Sequence, residues 1–280
     1  HFLEEWLWYH IHIVNVDQIY IFDNTGSTTK RGAGNSVAQT GKNKYGYSLK
    51  GMTSTMSDHD IDMVALKIFA KFPGKITYTN WRPRNKNGEI EYQQAECIDT
   101  AMRTFVNQTT WMAVIDLDEF LYVNTTTRSI HQYLREKEDL GFSRISIKQR
   151  KYKHKFEAVN EGLPPPYLVL SIQDYYDFER DGFVEWARKN IIRVDHYQSI
   201  NNIHDIRVNG PVHPDGNRQL FFNHYNHNQQ NWDWMRKHFN KTLVPATVTY
   251  TDRQDQLMRP FVKMLMSHSF VPLPRITNKS

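Results

Sequence analysis

Two carboxylates with one residue between them interrupt an otherwise apolar stretch, Trp111-Met112-Ala113-Val114-Ile115-Asp116-Leu117-Asp118-Glu119-Phe120-Leu121. Acids at the end of a buried strand repel one another unless a cation lies beside them. Hard carboxylate oxygens suit Mg or Mn, ions that keep coordination positions open for phosphate oxygens. The chemistry this predicts is the holding of a diphosphate through a divalent cation. Met112 to Ile115 are too short a run for a helix and read as a buried strand, central in a sheet. If that strand runs on through Leu117, its period of two puts Asp116 and Asp118 on one side of the chain. The spacing alone is not diagnostic. Roughly one Asp-x-Asp arises by chance in a chain of this length, and a strand end closed by an Asx turn looks the same.

The elements around the pair must decide. Phe2, Trp6, Leu7, His10, Ile11 and Val14 fall at helical spacing, so residues 1–15 read as an amphipathic helix. Residues 16–22 are β-rich and end at Asp23-Asn24. The thirty residues from Thr25 to Ser54 carry loop chemistry, rich in Gly, Ser, Thr, Asn and Lys. Ser57-Asp58 caps a helix that Pro73-Gly74 stops, and a strand is expected over 75–81 and a helix over 92–106. Helix and strand then alternate up to the acidic segment, the pattern of an α/β layer with parallel strands. Ligands of such open sheets bind outside the carboxyl ends of the strands, where Asp23 and Asp116/Asp118 all fall. Further on, a helix is expected over 128–138 and strands over 143–148, 167–172, 190–194, 204–208 and 221–225. A helix over 232–240 precedes an extended tail.

Composition narrows the classes. Hydrophobic residues make up 39% and aromatic residues 13% of the chain, enough for a core and against disorder. A net charge of +5 favours anionic ligands such as nucleotides. Acids and bases are interleaved, and the one basic run, Lys148-Gln149-Arg150-Lys151-Tyr152-Lys153-His154-Lys155, reads as a solvated face; no nucleic-acid partner is expected. Cys97 is the only cysteine, which excludes an intrachain disulfide and a cysteine zinc site. A lone thiol favours a reducing, cytoplasmic setting. No transmembrane segment or signal peptide is expected in this chain. It opens in mid-helix at His1, however, and an anchor removed from upstream would place it in the Golgi lumen instead.

The whole set of segments resembles glycosyltransferase family 92 and the family 2-like enzymes. The residues that carry the resemblance are Leu3-Glu4-Glu5-Trp6 with His10, Ile19 through Asn24, Trp81, Gln94-Ala95 and Trp111 through Leu121. They continue with Lys189 through Arg193, His204, and Asn223-His224-Tyr225 ahead of Trp234 and Lys237. The order and spacing matter more than any one of them, and they span about residues 2 to 241. The segment after the acidic strand departs from the family pattern at Gln149 to Phe156, a region that shapes acceptor binding.

The resemblance implies a single α/β domain of GT-A type, a Rossmann-type mixed sheet with flanking helices. The catalytic domain would cover 1–245, with a nucleotide-sugar half over about 1–123 and an acceptor half over about 124–245. Residues 246–280 would be an extension packed on it. The activity implied is metal-dependent transfer of a sugar from a nucleotide-sugar, a UDP-sugar, to a hydroxyl of a glycan or glycoprotein, with inversion. The cofactor implied is a divalent cation, Mn or Mg. Asp116 would contact the donor ribose or the metal, Asp118 and His224 would ligate the metal, and Asp23 would sit by the base or ribose. Lys189 or Arg193 would lie near the diphosphate. Inversion needs a carboxylate to deprotonate the acceptor, and Asp174, Asp177, Glu179 and Glu185 are alternatives that the sequence does not separate.

Blander readings stand beside these. His224, with His227 nearby, also reads as a core or surface histidine. Lys189 and Arg193 are four apart and would be solvated charges on a helix face, although Ile191-Ile192 looks more like a strand. Glu5 reads equally as a first-turn acid, and Trp6 and Trp111 read as core. Two other functions compete. A nucleotidyltransferase would use Lys30-Arg31-Gly32-Ala33-Gly34 as its phosphate loop, and a non-catalytic carbohydrate- or RNA-binding module would use the aromatics and the basic run.

Overall fold

The computed structural model describes residues 2–23, 29–31, 65–84, 86, 91–123, 129–154, 176–215 and 220–225. Helix α1 (Phe2–Trp8) widens into a π-helix over Tyr9–Val14 and ends at Asn15, whose φ of 64° is one that asparagine tolerates. Its inner face packs on strand β6 (Glu119–Val123), and side chains there do the work of a neighbouring strand. The Trp6 indole N–H donates to the Glu119 carbonyl at 2.8 Å and the Tyr9 hydroxyl to the Leu121 carbonyl at 3.0 Å. The Leu121 N–H donates to His10 Nε2 at 3.2 Å, which leaves Nδ1 as the protonated nitrogen facing the Trp6 carbonyl at 2.8 Å. Strand β6 thus meets polar partners from α1 and its continuation as well as from its strand neighbour.

Burial pushes the His10 imidazole down to about 4 from 6.5, against the pull of the Trp6 carbonyl. The unfolded chain therefore takes up this proton more readily than the folded one. The stability that neutral His10 contributes is full above pH 6.5 and is lost as pH falls toward 4. Between pH 7 and pH 4 the protein is expected to lose about 3 kcal/mol more than His10→Gln, measured by urea unfolding at both pH values. Parallel losses in the two proteins would rule out His10 as the titrating group.

Strand β1 (Ile19–Asp23) pairs in parallel with β3 (Ile76–Asn80), and the short β2 (Thr29–Arg31) with β4 (Glu91–Tyr92). Helix α2, described over 65–69, reaches β3 through a turn in which Gly74 takes a φ of 72°. The main sheet contains β5 (Trp111–Ala113), β8 (Tyr176–Arg193), β7 (Arg144–His154), β12 (Leu220–Tyr225) and β6 in that spatial order, with β11 (Val212–Asp215) also on β7. It is mixed: β7 is parallel to β11 and β12, while β5/β8, β7/β8 and β6/β12 are antiparallel. The expected parallel arrangement is thus found for β1 and β3, and the acidic segment belongs to a mixed sheet. Helix α3 (Gln94–Thr104) and the hairpin of β9 (Tyr197–Asn202) and β10 (Asp205–Val208) cover one face. They are joined by the Tyr197 hydroxyl, which donates to Asp99 at 2.6 Å. On the other side α4 (Ile130–Asp139) starts at Ser129, whose hydroxyl accepts the Gln132 N–H at 3.2 Å.

Two cores result. Ile19, Ile21, Trp111, Ala113 and Ile115 pack toward α1, β6 and β12, whereas Tyr20, Phe22, Met112 and Val114 pack toward α3, β9 and β10. The same alternation on β1 and β5 puts both strands in one layer between the two cores, the layered arrangement of an α/β domain. A cleft of about 700 Å³ separates them within that layer. Strand β5 consequently pairs with β8 on one side and faces the cleft on the other, so among the described residues it is an edge strand and not the central one expected. The basic run is mostly strand β7, which pairs on both sides. Among the described residues no helix is long and apolar enough to cross a membrane. The strand expected over 167–172, the helix over 232–240 and the extension over 246–280 lie outside the described residues.

Candidate active site

Strand β5 stops at Ala113, three residues short of Asp116, and the expectation that it runs through Leu117 does not hold. The chain turns instead. The Glu119 N–H donates to the Asp116 carbonyl at 3.0 Å, and the Asp116 N–H donates to the Glu119 carboxylate, also at 3.0 Å. Closed from both ends, the turn aims its two aspartates at different partners and leaves Leu117 half exposed at its tip. Asp116 accepts from Gln94 Nε2 at 3.2 Å and from Lys189 Nζ at 2.8 Å. Asp118 Oδ2 lies 3.3 Å from His224 Nε2.

Beneath the turn, Lys189 is 1% exposed and its ammonium is shared by two acids, Asp116 and, at 3.1 Å, Glu119. It comes from β8, where Ile147 is its register partner on β7. Gln149 Nε2 donates to the second oxygen of Glu119. Burial alone would raise the Asp116 carboxyl, yet the Lys189 ammonium and its hydrogen bond hold it below the usual carboxylate range. Burial pushes the Glu119 carboxyl up to about 7; Lys189 opposes this and the charge on Asp116 adds to it. Burial would lower Lys189, but the two carboxylates keep it above the ordinary lysine value.

The donor set for a cation follows from these contacts. Both Asp116 oxygens already accept hydrogen bonds from Gln94 and Lys189. Asp118 and His224 keep partial access to solvent, at 34% and 17% side-chain exposure. Two donors in adjacent positions around Mn or Mg, each about 2.1 Å from the ion, stand about 3 Å apart. The Asp118–His224 separation fits that spacing and leaves the remaining positions for water or phosphate oxygens. Among the described residues no group of three such ligands is assembled, so the fit is to a site in which these two residues are the protein donors described.

The turn stands at one end of the cleft, where Phe22, Trp81, Gln94, Asp116 and Leu117 line it. Cys97 also lines the cleft; partial burial pushes its thiol up to about 12, away from the reactive thiolate form. Asp23 follows Phe22 at the carboxyl end of β1, where its carboxylate accepts from the Tyr78 hydroxyl at 2.7 Å. Arg193 is not brought to the cluster. It is the register partner of Trp111, at the other end of β5, and pairs with Asp195 at 3.0 Å and Glu138 at 3.8 Å. Lys189 and Arg193 lie on a strand and not on a helix face. Asp177, Glu179 and Glu185 lie on β8, upstream of Lys189, while Asp174 is outside the described residues. Trp6 is core, but it also anchors the Glu119 carbonyl, and Glu5 is a buried first-turn acid.

Two members of the cluster, Glu119 and Gln149, were not among the residues singled out by sequence. Glu119 had a signal: it is an acid followed directly by Phe120-Leu121-Tyr122-Val123, in a strand whose five positions are all buried. Gln149 lies within the basic run, where the surrounding charges hide the period-two burial of its strand.

Comparison with known families gives one finding. No curated protein matches the chain. The profile of glycosyltransferase family 92, by contrast, matches residues 55–259, a span that takes in the acidic turn, Gln149, Lys189 and His224. By that match over more than two thirds of its length, the chain belongs to glycosyltransferase family 92.

Proposed function

We propose that this glycosyltransferase moves a sugar from a UDP-sugar to a hydroxyl of a glycan or glycoprotein, with Mn or Mg as cofactor and with inversion. The observation that carries the reading is the Asp118–His224 pair, 3.3 Å apart and partly open, at the turn whose Asp116 and Leu117 line an aromatic-lined cleft. A divalent cation held there by Asp118 and His224 would supply positive charge where the nucleoside diphosphate leaves. Asp116, fixed by Lys189 and Gln94, accepts from a donor hydroxyl, and Asp23 serves the nucleoside from the end of β1. Lys189 acts through Asp116 and Glu119, since its ammonium is buried between them. In this reading residues 1–123 bind most of the donor, and 124–245 carry the acceptor side but lend Lys189 and His224 to the donor site.

For the base we single out Glu185. In the β7/β8 register Lys148 opposes Arg188 whereas Gln149 opposes Val184, so residues 185–187 bulge out of the ladder directly beside Gln149. Asp177 opposes Lys153, about 13 Å further along β7 from Gln149 at the usual strand rise. The Glu185 carboxylate takes the acceptor proton as the acceptor oxygen bonds to the sugar carbon. The carbon–oxygen bond to the diphosphate breaks on the opposite face, and its electron pair leaves with UDP.

Calorimetric titration with UDP, GDP and CDP, each with and without Mn, tests the reading: UDP is expected to bind only with Mn. Binding of none of them by the folded protein would overturn it. Glu185→Gln is expected to slow transfer by about 10²-fold or more with Mn-dependent UDP binding unchanged. Full activity in Glu185→Gln, with loss in Asp177→Asn or Glu179→Gln, would move the base to that residue.

A further inference from the structure

We infer that Glu119 is a positioning residue that sets the Asp116–Asp118 turn for the cation and the donor. The inference rests on the reading that Asp118 and His224 hold the cation. Glu119 is fully buried, so it touches no substrate. Its carboxylate instead ties together three parts of the chain. One oxygen accepts the Asp116 N–H at 3.0 Å and faces Lys189 Nζ of β8 at 3.1 Å; the other accepts from Gln149 of β7. Its backbone adds two more ties, the N–H to the Asp116 carbonyl at 3.0 Å and the carbonyl to the Trp6 indole at 2.8 Å.

The consequence is geometric. Asp116 and Asp118 are aimed at Lys189 and at His224 because the turn between them is pinned from inside by a side chain of full glutamate length. An amide of the same length keeps an oxygen for the Asp116 N–H and for Lys189, and Gln149 can rotate its own amide to accept in return. An aspartate keeps the charge but is one methylene shorter and cannot reach the Asp116 N–H, Lys189 and Gln149 together. Length, not charge, is therefore what the turn requires.

Three variants separate these terms: Glu119→Gln, Glu119→Asp and Glu119→Ala. The readouts are Mn-dependent UDP binding, thermal stability and hydrogen exchange at the Asp116 amide. Glu119→Gln is expected to stay within about threefold of the parent Kd, and Glu119→Asp to raise it about tenfold or more while still folded. The Asp116 amide should be protected in the parent and in Glu119→Gln and exchange freely in Glu119→Asp. Glu119→Ala should resemble Glu119→Asp; if it does not fold, the Gln/Asp contrast decides. The reverse ranking, with aspartate tolerated and glutamine not, would overturn the inference in favour of a charge requirement. An equally protected Asp116 amide in all variants would overturn it too. If the parent binds no nucleotide with Mn, the proposed function fails, and the amide exchange still shows whether Glu119 holds the turn.

Discussion

Asp118→Ala is expected to lower turnover by about 10³-fold or more, an increase of about 4 kcal/mol in the barrier. Thermal stability should change little. The side chain is 34% exposed on a two-residue turn, its described partner is His224, and the turn is closed by Asp116 and Glu119 rather than by Asp118. An exposed pair of this kind contributes at most about 1 kcal/mol to folding. The loss should therefore be catalytic. Initial rates against Mn concentration check it: the variant should need far more Mn, and saturating Mn should restore only part of the rate. His224→Ala should shift the Mn requirement in the same direction, because it removes the second donor of the pair. A carbohydrate- or RNA-binding module would be indifferent both to Mn and to this substitution, so an unchanged binding isotherm for Asp118→Ala would favour that reading.

Much of the N-terminal part of the fold was legible because its signals are local. The β1 strand ending at Asp23, the β3 strand, helix α3 and the start of β5 were each readable from period and punctuation within about a dozen residues, whereas the end of β5 at Ala113 and the strand β6 were not. What was not legible depended on pairing between distant segments. That Asp116 and Asp118 look in different directions follows from a carboxylate three residues on that accepts the Asp116 N–H, and no alternation rule encodes that bond. The assignment of Lys189 and not Arg193 to the site follows from β8 running antiparallel to β5, which carries Arg193 to the Trp111 end. Four residues apart on one strand, their Cα atoms lie about 13 Å from one another, and the Arg193 guanidinium turns to Asp195 and Glu138. The Lys148–Lys155 run misled for a related reason. Read as a charge run, it gave no sign that its backbone pairs on both edges or that Gln149 donates to the buried acid.

Lys189→Met is expected to cost about 3–5 kcal/mol of stability, the largest effect on folding among these substitutions. The reason lies with the acids left behind. Lys189 is the cation shared by Asp116 and Glu119, and Glu119 is wholly buried. Without the ammonium, Glu119 either keeps an uncompensated charge in the core or takes up a proton, and each course weakens the folded state at neutral pH. The pH dependence has a definite sign. A carboxyl whose folded value is raised above its unfolded one binds more protons when folded, so stability rises as pH falls through that range. Glu119 is already held at about 7 by burial with Lys189 present, and loss of its cation moves it further upward. The deficit of Lys189→Met should therefore be largest near pH 8 and shrink toward pH 5, measured as the difference in urea unfolding free energy from the parent. Adding Glu119→Gln to Lys189→Met removes the stranded charge while keeping the turn's acceptor, and the double variant should regain most of the lost stability at pH 8. If the two substitutions instead add, Lys189 and Glu119 do not act as a pair. The double variant's turn should remain closed, but Asp116 has lost its ammonium, so its carboxyl should rise from the depressed value it has in the parent. Recovered stability without recovered transfer is the combination expected if Lys189 both completes the core and holds Asp116 ionised toward the donor.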